Sequence, residues 1–181
     1  MTAEELRRGY GRLFDQIDTD SDGAIVRSDL EQMANSLAHT FGQTASTPKA
    51  RDVRDHYSRT WELLCEDLGV DAGGEIAREE FGEAMANLST QDGFLAHVRA
   101  VAAAEFALAD PDDDGVLAKE DFVRLIEAFG PSGEDAKAAF TRLDRDGDGR
   151  IRREEYASAR QEYLTSGDPD APGRWLFGAP Q

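Results

Sequence analysis

DRDGDGRIRREE, residues 144–155, is the stretch that decides how this chain is built. Carboxylates stand at Asp144, Asp146 and Asp148, one residue apart, followed by Gly149, the apolar Ile151 and, in twelfth place, Glu155. Alternate short acids on a tightly curled loop can all turn inward, and the sixth residue bends the chain so sharply that glycine with positive φ suits it. A hard dication of calcium size takes about six to eight oxygens at about 2.3–2.6 Å, which this spacing can supply. The seventh residue, Arg150, would give its backbone carbonyl. The ninth, Arg152, has no acceptor, so a water is expected in its place. Glu155, at the start of an exiting helix, is long enough to offer both oxygens.

Outward from this stretch the same twelve-residue pattern returns. In DTDSDGAIVRSD, residues 18–29, the candidate ligands are Asp18, Asp20, Asp22, the Ala24 carbonyl and Asp29. In DPDDDGVLAKED, residues 110–121, they are Asp110, Asp112, Asp114, the Val116 carbonyl and Asp121. Both loops end in Asp, one methylene shorter than Glu. A fourth copy, GVDAGGEIAREE at 69–80, keeps Gly74, Ile76 and Glu80 but has Gly69 and Gly73 where two carboxylates belong. Ligand count largely sets affinity, so this loop is expected to bind no ion. Its Ile76 is expected to pair with Ile25 in a short antiparallel ribbon and brace the first loop.

Helical periodicity flanks every loop. Thr2 with Glu5 forms a capping-box pattern, and Leu6, Tyr10, Leu13, Phe14 and Ile17 make one stripe. Leu30, Met33, Ala34 and Leu37 follow the first loop. After a polar connector, Thr47-Pro48 reads as N-cap and first residue of a helix of about twenty residues, with Val53, Tyr57, Trp61, Leu64 and Leu68 inward. Phe81, Met85 and Leu88 then line one face, and Phe94, Val98, Val101, Ala102 and Phe106 another. Phe122, Leu125, Ile126 and Phe129 precede a Gly130-Pro131 stop, and Ser132 caps a helix burying Ala136, Phe140 and Leu143. Tyr156 and Tyr163 lie on the last helix. The tail SGDPDAPGRWLFGAPQ, residues 166–181, is irregular, yet Trp175, Leu176 and Phe177 are expected to dock in a groove between the two halves.

The chain has 181 residues, 37 acidic against 20 Lys and Arg, for a net charge of −17. That balance argues against nucleic acid and anionic membrane surfaces as partners. The single cysteine, Cys65, excludes an intrachain disulfide and reads as a small core residue. There is no apolar leader after Met1, no glycine at residue 2 for myristoylation, and no run approaching about 18 apolar residues. A cytoplasmic location is expected. His39, His56 and His97 fall on separate helices without partners at ligand or triad spacing, so no enzyme is expected.

Four such units with a degenerate second loop, and a tail reading PGRWLFG, resemble the sarcoplasmic calcium-binding proteins and their prokaryotic relatives of the calerythrin type, within the EF-hand superfamily. The resemblance implies a compact all-α molecule of four EF-hands in two pairs joined by short two-stranded ribbons. The expected organisation is an N-terminal pair at 1–90, a C-terminal pair at 91–165 and a docking tail at 166–181. It implies three bound Ca2+ ions in a monomer that buffers Ca2+ or Ca2+/Mg2+. The alternative is a sensor that opens an apolar groove for a target. Only Met33 and Met85, besides Met1, could supply the flexible methionines of such a groove, and the aromatic cores favour fixed packing. The short Asp29 and Asp121 make loops one and three the expected places for Mg2+ and for weaker Ca2+ binding, since Mg2+ prefers six oxygens near octahedral geometry.

Overall fold

The computed structural model describes residues 3–168 and 170–178. Thr2 and the side chains of Glu5 and Leu6 lie outside what is described. Helix α1 (Ala3–Ile17) runs into the first loop, whose strand β1 (Ala24–Ile25) leads to α2 (Arg27–Thr40). Helix α3 (Pro48–Leu68), strand β2 (Ile76–Ala77) and α4 (Arg78–Leu88) repeat the plan. The third unit is α5 (Asp92–Ala109), β3 (Val116–Ala118) and α6 (Lys119–Glu127), and the fourth is α7 (Gly133–Leu143), β4 (Arg150–Arg152) and α8 (Arg153–Thr165). A 3-10 turn at Pro172–Trp175 ends the path.

The strands join the units in pairs. β1 lies antiparallel to β2 with Ile25 opposite Ile76, and β3 to β4 with Leu117 opposite Ile151. All four of these side chains are buried. The eighth loop residue therefore both ties two loops together and seals the core beneath them.

Three exit helices, α2, α4 and α8, begin alike. The carboxylate in twelfth place takes the backbone N–H of the ninth residue: Asp29 from Val26 at 2.8 Å, Glu80 from Ala77 at 2.9 Å, Glu155 from Arg152 at 2.9 Å. A free N–H of the first helical turn is satisfied and an acid sits at the positive end of the helix. Ser132 caps α7 by accepting from the Asp135 N–H. Thr47 does stand at the N-cap of α3, but its hydroxyl donates back to Thr44 O instead of capping.

The apolar stripes meet in one continuous core. Helix α1 packs on α4, α2 on α3, α3 on α5 and α5 on α8. Tyr10 on α1 donates to Leu164 O, and Tyr163 on α8 donates to Gly9 O, crossing from first unit to last. In the middle lies Glu105, fully buried, accepting from Tyr57, from Tyr156 and from Arg160 at 2.8, 2.8 and 3.0 Å. A buried carboxylate is tolerated only with such complete pairing. Burial, and then the Glu105 charge, raises both tyrosines well above their ordinary range. Burial works against the Arg160 charge, but Glu105 and the tyrosines outweigh it and raise its pKa.

The described tail rests mainly on α7 and α8. Leu176 and Phe177 are buried, Phe177 edge-on to Phe129 and Tyr163, and the Arg142 guanidinium lies 3.7 Å over Trp175. Arg174 reaches Gly9 of α1. Burying a side chain such as Leu176 or Phe177 stabilises by about 1.5–3 kcal/mol. Gly173 permits the close approach, because a Cβ there would stand 2.4 Å from Ala159 O.

Candidate metal centres

Three groups of carboxylates converge: Asp18, Asp20 and Asp22; Asp110, Asp112 and Asp114; Asp144, Asp146 and Asp148, with one oxygen from each member within 4.8 Å of the others in its group. Their gathering is a backbone effect. In each loop the first aspartate accepts from the glycine N–H five residues on: Asp18 from Gly23 at 3.1 Å, Asp110 from Gly115 at 3.0 Å, Asp144 from Gly149 at 3.0 Å. The fifth-place aspartate accepts from the N–H two residues on, as Asp22 does from Ala24, Asp114 from Val116 and Asp148 from Arg150. In loops three and four one oxygen of the first aspartate, Oδ2, thereby shapes the loop, and its second oxygen, Oδ1, is left buried. The sixth-place glycines hold φ of 91°, 82° and 79°.

The fit to a cation can be judged from what those second oxygens touch. Asp110 Oδ1 and Asp144 Oδ1 are buried with no hydrogen-bond partner. An acceptor denied both water and a donor is costly, of order 1–3 kcal/mol, unless a cation answers it. In loop one, Asp18 Oδ1 instead takes the Asp22 N–H at 3.1 Å. The carbonyl residues Ala24, Val116 and Arg150 each open a ribbon strand.

The twelfth-place acids are not members of these groups. Asp29 is buried and accepts from the Thr19 hydroxyl as well as from Val26 N–H, and Glu155 accepts from Arg145 N–H at 3.4 Å as well as from Arg152 N–H. Thr19 and Arg145 both stand second in their loops. Asp121 is half-buried, and the second residue of its loop, Pro111, has no N–H to give.

Loop two has another geometry. Gly69 caps α3 in the left-handed region at φ 66°, where Asp110 and Asp144 have φ −97° and −70°. The Trp61 indole donates to Ala72 O at 2.9 Å, and Val70 lies so near Gly74 that a Cβ there would meet it at 2.6 Å.

Family models describing an EF-hand domain pair and an EF hand match residues 99–161 and 12–34. A solved calcium-binding protein of Streptomyces coelicolor, described in terms of prokaryotic calcium-mediated regulation, is 30% identical, with a TM-score of 0.77 over 88% of this chain and 98% of its own. This chain is an EF-hand calcium-binding protein. Calerythrin of Saccharopolyspora erythraea is 26% identical over 153 residues, covering 83% of this chain and 86% of calerythrin. The luciferin-binding protein of Renilla reniformis is 25% identical over 182 residues, covering 97% and 94%. The three EF-hand aspartate clusters are suited to Ca2+.

Several basic groups of this EF-hand protein approach the loops from places the spacing does not reveal. Lys49 Nζ donates to Asp110 O at 2.7 Å and pairs with Asp113 at 2.7 Å, linking α3 to loop three. Arg150 reaches Asp114 across the ribbon at 3.8 Å. Arg152, read from the sequence only as lacking an acceptor, lies 2.6 Å from Asp148 and 3.6 Å from Asp146. Its spacing of four from Asp148 was the available signal.

The histidines do lie on separate helices, α2, α3 and α5, but two of them meet in space: the rings of His56 and His97 lie 5.7 Å between centroids, and His97 Nε2 is 2.9 Å from the Thr60 hydroxyl. The packing of α3 on α5 brings them together across 41 residues of sequence. Burial, then the neighbouring His56 and Arg59, lowers the His97 pKa to about 4. His97 also lines a cavity of about 70 Å3 with Ile17, Met33, Tyr57, Phe94 and Leu164.

Proposed function

We propose that the chain holds three Ca2+ ions and acts chiefly as a calcium buffer. The ligands would be Asp18, Asp20, Asp22, the Ala24 carbonyl and Asp29 in loop one, and Asp110, Asp112, Asp114, the Val116 carbonyl and Asp121 in loop three. Those of loop four would be Asp144, Asp146, Asp148, the Arg150 carbonyl and Glu155. The observation that carries this reading is the pair of buried, unpartnered oxygens, Asp110 Oδ1 and Asp144 Oδ1, each inside a ring of carboxylates. Bound Ca2+ supplies positive charge that relieves repulsion among these acids. The short Asp29 and Asp121 give fewer oxygens, so loops one and three accept Mg2+ more readily.

In this reading residues 1–90 form one pair, in which loop two braces loop one. Residues 91–165 form a second pair with two binding loops, and the described part of the tail rests on it. The aromatic cores and the buried Leu176 and Phe177 support a form that stays closed around its ions. We assign it no catalytic role and place it in the cytoplasm as a monomer. Among the described residues no helix is long and apolar enough to cross a membrane.

The calcium-mediated regulation named for the Streptomyces coelicolor protein supports a second reading, a sensor that uncovers its core to a target. An organic ligand of the kind named for the Renilla protein is disfavoured in the apolar cavity beside His97, whose volume of about 70 Å3 is under half the roughly 150 Å3 that admits benzene.

Melting with calcium against melting in chelator, with ion stoichiometry by native mass spectrometry, tests the main reading. Each site filled at about 100 times its Kd adds roughly 2.7 kcal/mol. Three sites should raise the melting temperature by roughly 15–30 °C, with three ions bound. Unchanged melting, or a different ion count, overturns it. Strong binding of an apolar-surface dye on calcium addition would favour the sensor.

A further inference from the structure

We propose that Arg152 is a tethered counter-cation of loop four, competing with the entering ion and setting how readily that loop fills. The inference rests on loop four being an ion site. The oxygens of the loop divide into two sets. Asp144 Oδ2, Asp146 Oδ1 and Asp148 Oδ1 accept from the N–H groups of Gly149, Asp148 and Arg150 at 3.0, 3.1 and 2.9 Å and hold the loop's shape. The remaining oxygens of Asp146 and Asp148, both Oδ2, face the Arg152 guanidinium, with Nε 3.6 Å from the first and Nη2 2.6 Å from the second. These are the oxygens that positions three and five have left for an ion. One guanidinium thus bridges the third- and fifth-place carboxylates of the loop, both of them exposed.

The anchor of that side chain is fixed. Arg152 ends strand β4 opposite Val116, directly after Ile151, which is buried. The backbone cannot retreat, so only the arm moves. A divalent ion entering loop four meets the guanidinium if it stays and breaks its contacts if it leaves. Both routes cost binding free energy. The other loops carry Val26, Ala77 and Ala118 in ninth place, so only loop four sets a cation at that position. It also offsets the advantage of Glu155, the longest arm in a binding loop: the most complete motif in the chain carries its own competitor.

Calorimetric calcium titration of the full chain tests this with three variants. Glu155→Gln should remove one of three binding events, assigning loop four. Arg152→Met should then bind calcium about tenfold more tightly at that loop, with loops one and three unchanged, equivalent to about 1.4 kcal/mol. The difference from wild type should shrink as KCl rises from about 0.02 to about 0.5 M, since the competition is between exposed charges. Arg152→Lys, which keeps a charge, should stay near wild type. Melting gives a reading free of the titration: Arg152→Met should lower the melting temperature in chelator and raise it in calcium.

If Glu155→Gln removes one event and Arg152→Met leaves loop-four affinity unchanged, the counter-cation is overturned and the calcium reading stands. Equal tightening by Lys and Met also overturns it, by pointing to bulk instead of charge. If Glu155→Gln leaves three events intact, loop four is not an ion site and both readings fall.

Discussion

Loops two and four reach the same outcome by different physics. Each places an isoleucine, Ile76 or Ile151, in a ribbon and closes with a glutamate on the N–H of its ninth residue. Loop four does so with acids that leave Asp144 Oδ1 buried and unpaired and that draw Arg152 onto Asp146 and Asp148. Loop two does so with an indole hydrogen bond from Trp61 and the packing of Val70 over Gly74. A curled turn needs something at its centre or something beneath it. Loop four gathers charge at its centre, whereas loop two is held by hydrogen bonds and packing. The difference teaches that a degenerate hand can be kept as a structural support.

Four measurements would break or sharpen that contrast. Ile76→Ala removes a buried side chain from the ribbon and should cost about 2–5 kcal/mol of stability. Calcium affinity should fall at loop one and hold at loops three and four, as calorimetry would register; unchanged affinity at loop one would mean that loop two is no brace. Trp61→Phe deletes the bond to Ala72 O and leaves a small cavity, so urea unfolding should report a loss of about 1–2 kcal/mol. The ion count should not change.

Restoring the missing acids with Gly69→Asp and Gly73→Asp should leave native mass spectra at three ions. Gly69 lies at φ 66°, so a carboxylate there leaves the chain from a differently turned backbone, at a cost of about 1–2 kcal/mol for the left-handed conformation offset in part by Asp's tolerance of it. A fourth ion would show that loop two lacks nothing but its acids.

His97, distant from both loops in sequence, supplies a test through pH. With its pKa lowered from 6.5 to about 4, the folded chain binds fewer protons there than the unfolded chain. Its contribution to stability is therefore full above about pH 6.5 and is lost as pH falls toward 4. His97→Leu should flatten the decline in melting temperature over that range, by up to roughly 7–14 °C if the whole shift is expressed.

Much of the fold was legible because its determinants are local. The ligand spacing at 144–155, 110–121 and 18–29, and the stripes ending at Ile17, Phe106 and Leu143, follow from loop curvature and helical period. The pairing of Ile25 with Ile76 was legible too, because both stand eighth in their loops. Glu105 was not recognised, although it falls on the inward face beside Ala102 and Phe106; an acid on an apolar stripe was the signal. Thr47 was read as a cap because its position was right, but its hydroxyl found Thr44 O instead.

By itself the sequence determined that this is an all-helical calcium-binding chain with three acidic loops and one lacking two acids. Those features rest on ligand spacing and helical period, which act within a dozen residues. Only the tertiary structure decided which charges meet. It set Lys49 on loop three, gathered Tyr57, Tyr156 and Arg160 around Glu105, brought His56 beside His97 and seated Phe177 on Phe129. These contacts join segments far apart along the chain, and their partners are selected by how apolar faces pack, which no single segment encodes.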